Sequence, residues 1–102
     1  MVLKEIIEWY SSEKFFFSLN SLESSLVVND FNLKSISLEI CSLKYSFAIN
    51  VWENSNMEIN ILNNQDLSII VQNVSEIDFI KFKKKIDYLC DILLNNPDYL
   101  FS

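Results

Sequence analysis

Four consecutive stretches of the chain alternate apolar and polar side chains, and this pattern constrains the fold more than any other feature. A period of two is typical of β-strands that have one face in a core. Polar links at 42–44, 53–56 and 63–66 separate the stretches, so we predict an antiparallel meander with one buried and one open face. The predicted buried members are Ile36, Leu38 and Ile40; Tyr45, Phe47, Ile49 and Val51; Met57, Ile59 and Ile61; and Leu67, Ile69 and Val71.

Helical patterns flank the predicted meander on both sides. Residues 2–12 place apolar side chains three and four positions apart, as an amphipathic helix does. We expect Ser75 to cap a second helix, with Asp78 at its third position and Val74 packing onto Phe79. This helix should end at 95–97. Its core-facing stripe is Phe79, Phe82, Ile86, Leu89 and Leu93.

The pattern leaves the conformation of residues 13–30 open. Phe15–Phe17 could end the first helix or form a strand, and 26–28 could form a strand. The predicted fold is therefore α+β: an N-terminal helix, a four- or five-stranded antiparallel meander and a C-terminal helix. We expect two layers in a single domain spanning 1–102, with both helices on one sheet face. Because the chain contains no glycine, its turns should use Asn, Asp or Ser for left-handed backbone.

Composition argues against most kinds of catalytic or nucleic-acid site. The 102 residues include 8 lysines, 14 carboxylates and neither His nor Arg, which gives a net charge of -6. The commonest metal ligand, the usual general base and the bidentate phosphate fork are thus missing. We expect no catalytic residue, no metal and no cofactor, and an acidic chain is a poor nucleic-acid binder. A small-molecule enzyme is the weakest hypothesis, and it would require a deep apolar pocket.

The first residues and the two cysteines indicate the compartment. Carboxylates interrupt the apolar residues near the N-terminus, and no run approaches the ~18 apolar residues of a membrane-spanning helix. We therefore expect a cytoplasmic protein without a membrane partner, in which Cys41 and Cys90 are free thiols.

Trp52 is the side chain of the predicted open face that most suggests a partner. Tryptophan is enriched among the residues that dominate binding energies, although Trp52 could instead fold over the sheet edge onto Leu62 or Ile70. Acidic and amide side chains around a Trp would suit a basic protein surface. The candidate partner-binding residues are Trp52, Glu53, Glu58, Glu39, Asn50 and Asn60.

The middle of the chain resembles a known family. Residues 35–40, Tyr45, the Val51-Trp52 pair and residues 57–62, together with Trp9, resemble the TriTu type of immunity protein from bacterial polymorphic toxin systems. The likeness covers about residues 2–94. Such proteins tend to have glycine in the turn after the Val-Trp pair, whereas this chain has Glu-Asn-Ser-Asn at 53–56.

The resemblance implies that the chain protects its own cell by binding a cognate toxin domain, which for this type is an ADP-ribosyltransferase. The partner would be a protein with a basic surface, and the immunity protein would act as a monomer, by occlusion and without chemistry of its own. The alternative is a small acidic chaperone of type III secretion, which would bind an effector and would usually be dimeric.

Overall fold

The computed structural model describes residues 2–30 and 33–95, which form two helices and a five-stranded sheet. All neighbouring strands are antiparallel and follow chain order across the sheet. The predicted α+β architecture is confirmed, with five strands. The elements are α1 (Val2–Leu19), β1 (Glu23–Asp30), β2 (Lys34–Cys41), β3 (Tyr45–Trp52), β4 (Met57–Asn63), β5 (Ile69–Val74) and α2 (Phe79–Asn95).

Both helices cover the same face of the sheet, as predicted. On β2, β3 and β4 the buried residues alternate with half-buried or exposed ones, except that Ser35 at the start of β2 is buried as well. The buried set includes the three predicted stretches of those strands and the middle of the α2 stripe. Trp9 joins the helices, because its ring lies edge-on to Phe82 of α2 at 5.4 Å between centroids and edge-on to Phe17 of α1 at 6.1 Å.

The segment that the sequence left open begins as helix. Phe15–Phe17 belong to α1, which runs to Leu19 rather than stopping at residue 12, and Phe17 is buried. Ser21 then adopts a left-handed backbone, with φ of 60°. The amide of Leu22 donates to the carbonyl of Phe17 at 2.8 Å, which is the closing bond of a Schellman motif. The chain turns there into β1.

The predicted start of the second helix was wrong by one turn. α2 begins at Phe79, and Asp78 is its cap: the Lys81 amide donates to Asp78 Oδ1 at 2.8 Å. Ser75 lies in the link before the helix. Asp78 can cap because a carboxylate accepts from free helical amides as a hydroxyl does, with a favourable charge for that end. α2 is described to Asn95, and residues 96 and 97 of the predicted stop lie outside the described residues.

The predicted facing of the last strand was also wrong. Ile70 pairs with Ile61, and Gln72 with Ile59, so both lie on the helix-covered face. Ile69 and Val71 lie on the open face and are 62% and 53% exposed. Residues 67 and 68 belong to the turn, and β5 begins at Ile69. The prediction placed Ile69 on the same face as Ile61, whereas Ile61 is opposite Ile70. This offset is an odd number of residues, which moves every side chain of a strand to the other face.

Left-handed backbone occurs where glycine would be expected. Ser21 and Ser55 have positive φ, as predicted for serine in the turns. Leu67 (φ 63°) and Glu76 (φ 55°) also have positive φ, which the prediction of Asn, Asp or Ser did not include. A side chain with a Cβ costs roughly 1–2 kcal/mol in this region. Both costly residues flank β5.

Two further findings concern helices and thiols. Within residues 2–30 and 33–95, no helix is both long and apolar enough to cross a membrane. Cys41 and Cys90 are free. Cys41 lies on the open side of β2 and Cys90 is buried in α2, so the sheet separates them, as the alternation predicted.

Candidate functional site

The candidate site is the sheet face that neither helix covers, called the open face below. Strand registers align its residues in rows that cross all five strands. A row through the middle runs from Val27 through Ser37, Asn50 and Glu58 to Asn73. The full face comprises Glu23, Ser25, Val27 and Asn29 of β1; Ser35, Ser37, Glu39 and Cys41 of β2; Ser46, Ala48, Asn50 and Trp52 of β3; Glu58, Asn60 and Leu62 of β4; and Ile69, Val71 and Asn73 of β5.

Side-chain hydrogen bonds fix the polar middle of the open face. Ser37 Oγ donates to Asn50 Oδ1 at 2.6 Å, and Asn29 Nδ2 donates to Ser37 Oγ at 3.3 Å. On the next strand, Asn60 Nδ2 donates to Glu58 Oε1 at 2.9 Å. Asn50 and Glu58 are directly opposite in the β3–β4 register. These groups are held in place before any partner arrives, which lowers the entropy cost of binding.

Trp52 lies at one end of the open face, where it forms part of a shallow depression of about 530 Å³. It is half-buried and pairs with Ser35 of β2. The depression combines an indole ring, a carboxylate and several amides in one place. Its lining residues are Leu33, Trp52, Asn54, Asn56, Met57, Glu58, Asn73, Val74 and Ser75.

The alternative in which Trp52 folds onto Leu62 or Ile70 was wrong. Leu62 lies at the other end of the open face, opposite Ser46 of β3. Six residues of strand separate the Ser46 row from the Trp52 row, which is about 20 Å at the usual rise. Ile70 lies on the covered face.

The two other predicted carboxylates stand apart from the depression. Glu39 is exposed on β2, two strands and therefore about 10 Å from β4. Glu53 lies in the turn after β3, where its Oε1 accepts from the backbone amide of Lys34 at 3.3 Å. The structure thus brings together Trp52, Glu58 and their amide neighbours, with Glu39 and Glu53 at the periphery.

Charge is divided unequally between the two layers. The helices carry six lysines and five carboxylates, whereas the strands and links of the described residues carry two lysines and eight carboxylates. On the open face, Glu23, Glu39 and Glu58 are charged, and among the described residues of that face none is a lysine. The sheet layer therefore holds the net negative charge, and it will attract cations.

The sequence did not reveal Asn54, Asn56 and Asn73 as residues of the depression. The two turn residues could have been found, since they directly follow the Val-Trp pair. Asn73 could not, because the predicted register placed the strand on the wrong face. Because apolar residues lie on both faces of β5, Ile69 and Val71 on one and Ile70 and Val74 on the other, the alternating pattern gave no signal for Asn73.

The chemistry of the open face suits binding. Within residues 2–30 and 33–95, no three His, Cys, Asp or Glu side chains are placed to hold a metal ion. What the face offers is amide donors and acceptors, carboxylates and one indole ring.

Comparison with known proteins adds no relative. No family model matches the chain, and no curated protein or solved structure matches it either. Function must therefore be inferred from the open face and its chemistry.

Proposed function

We propose that this chain is an immunity protein that binds a cognate secreted toxin domain through the open face and blocks it by occupancy. The toxin surface is basic, and in line with the TriTu resemblance its domain is an ADP-ribosyltransferase. The immunity protein acts as a cytoplasmic monomer, performs no chemistry and needs no cofactor.

One observation carries this proposal: the helix-free sheet face bears carboxylates without lysines among its described residues and has a Trp-lined depression at one end. A sheet face without a partner needs only small and polar side chains. Trp52 is neither, and tryptophan is enriched at protein interfaces.

The depression suits a lysine or arginine side chain of the toxin. A cation over an indole face gains roughly 0.5–2 kcal/mol, and more where water is excluded. Glu58 provides the neutralising carboxylate, and it is already oriented by Asn60. Asn54 and Asn56 add carbonyl acceptors for the remaining guanidinium or ammonium protons.

The test is binding of purified variants to the polypeptide encoded by the gene adjacent to this one, measured by surface plasmon resonance. Trp52→Ala should weaken the complex by about 2 kcal/mol, roughly thirtyfold, mainly through faster dissociation. Glu58→Gln, which keeps an acceptor for Asn60, should slow association at low salt more than at high salt. Tyr88→Ala, an exposed aromatic of the helical layer, is the matched control and should bind like wild type.

Three outcomes would contradict the proposal. Wild-type affinity of Trp52→Ala, with an unchanged circular dichroism spectrum, would place the interface elsewhere. Loss of binding by Tyr88→Ala alone would place it on the helices. A dimer on size-exclusion chromatography that captures an unfolded effector segment would favour the secretion chaperone.

A further inference from the structure

β5 is an edge strand that lacks the usual protection against pairing. Its sequence from Ile69 to Val74 contains no charged residue and no proline, the two devices that most often prevent strand addition. Within residues 2–30 and 33–95, β4 is the only strand that pairs with it. The other edge strand, β1, has a carboxylate at each end, Glu23 and Asp30.

The ladder shows which backbone groups of β5 face outward. The Asn63 amide donates to the Ser68 carbonyl at 2.9 Å, so these two residues form a hydrogen-bonded pair. Because such pairs alternate along an antiparallel ladder, every second residue from Ser68 onward bonds to β4. The N–H and C=O groups of Ile69, Val71 and Asn73 therefore point away from the sheet.

The same three residues place their side chains on the open face. Ile69 and Val71 are 62% and 53% exposed, and they lie beside Leu62 and Asn60 of β4. Asn73, the third, also lines the Trp52 depression. An added strand would thus cover an apolar strip at one end and reach the depression at the other.

We propose that β5 is a strand-addition site for an extended segment of a partner protein, with alternating apolar residues and a basic residue at the end that lies beside Asn73. Three outward-facing residues offer main-chain hydrogen bonds, Ile69 and Val71 select apolar side chains, and the Trp52 depression takes the basic one. This site does not depend on which protein provides the segment, so it stands separately from the toxin proposal.

Charge at the Asn73 end supports a basic partner. Glu58 is opposite Asn73 in the β4–β5 register, and Glu76 and Asp78 follow the strand. Lys81 directs its Nζ to the Glu76 carbonyl at 3.4 Å, which leaves three carboxylates against one ammonium group. The end of the strand is therefore negative.

A second copy of the chain fits this edge less well. Full overlap of two antiparallel β5 strands centres on Val71 and places Ile69 opposite Asn73 of the other copy. The two sheet layers, each with eight carboxylates against two lysines in the described residues, would then adjoin, and like charges in adjacent layers repel.

The experiment is a titration of the full chain, labelled with ¹⁵N, with a nine-residue peptide of alternating threonine and valine that has arginine at both ends. We expect the amide resonances of Ile69, Val71 and Asn73 to shift most, with saturation below about 1 mM. The same peptide with glutamate at both ends should bind at least tenfold more weakly.

A pair of proline variants provides the matched control. Val71→Pro removes an outward N–H from β5 without touching the β4 ladder and should weaken binding at least tenfold. The Ser42 amide donates to the Tyr45 carbonyl, so Ile36 and every second residue of β2 bond to β3, and the residues between them bond to β1. Val28 is opposite Ile36, and its N–H therefore points away from the sheet. Val28→Pro removes this outward N–H from β1. Val28 is 54% exposed, nearly equal to Val71, and its variant should bind like wild type.

The wild-type titration alone decides the question if Val71→Pro fails to fold. Largest shifts at Ser24, Leu26 and Val28, or no saturable shift at all, would overturn the proposal. So would equal affinity for the two peptides, or a wild-type dimer that Val71→Pro dissociates, because the occupant would then be a second copy.

Discussion

Replacing Phe82 with alanine should cost about 4 kcal/mol of unfolding free energy. The side chain is fully buried near the start of α2. Its ring lies edge-on to Trp9 at 5.4 Å and stacked with Phe79 at 6.5 Å. Truncation of a buried Phe costs roughly 3–5 kcal/mol through lost burial and the cavity left behind.

Urea denaturation followed by circular dichroism measures this loss directly. A domain of this size has roughly 5–15 kcal/mol of stability, so the midpoint should fall by between about a quarter and four fifths while the slope stays constant. Tyr88→Ala is the matched control on the same helix, since its ring is 52% exposed, and it should cost under about 1 kcal/mol. A loss below about 1.5 kcal/mol for Phe82→Ala would refute the packing of α2 onto the sheet.

Three smaller perturbations test local features. Leu67→Gly should raise stability by about 1 kcal/mol, because it relieves a left-handed backbone at an exposed side chain, and the melting temperature should rise roughly 4–8 °C; a fall would contradict the turn geometry. Asp78→Ala should cost about 1 kcal/mol in chemical denaturation as a lost helix cap, whereas Ser75→Ala should be nearly neutral, and the reverse order would restore the cap that the sequence predicted. Burial, and secondarily the Asp87 carboxylate, raises the pKa of the Cys90 thiol to about 12, so iodoacetamide at pH 8 should label half-exposed Cys41 and spare Cys90 until the protein is denatured, as peptide mass spectrometry would show.

The three central strands could be predicted because burial leaves a strict period of two in their sequences. Ile36 and Ile59 each stand between two polar neighbours, and Phe47 stands between a serine and a small alanine. All three side chains are fully buried. A strand in the middle of a sheet has no freedom to exchange its faces, since a slip would expose its apolar side chains. The register of β2, β3 and β4 follows from this constraint.

The edge strand β5 could not be predicted in the same way. It has apolar residues on both faces, Ile69 and Val71 on one and Ile70 and Val74 on the other, so alternation does not distinguish them. Gln72 on the covered face adds to the ambiguity. An edge position tolerates this, because Gln72 is only half-buried and is not enclosed as a central residue would be.

The sequence predicted which residues of β3 and β4 lie on the open face, but it did not predict which residues of β5 lie beside them. Trp52, Glu58, Asn50 and Asn60 lie on the open face, as expected from β3 and β4. That Asn73 joins them depends on the β5 register, which the pattern did not determine.

Trp9 also has a consequence for how the chain folds during its synthesis. The two helices that it joins lie at opposite ends of the described chain, 60 residues or more apart in sequence. At roughly 5–20 residues per second, a ribosome needs about 1–4 s to proceed from the end of β5 to the end of α2. The hairpins of the meander can form within microseconds, so the sheet exists for seconds with part of its apolar face uncovered, and in this interval the nascent chain is most exposed to aggregation and to capture by cellular chaperones.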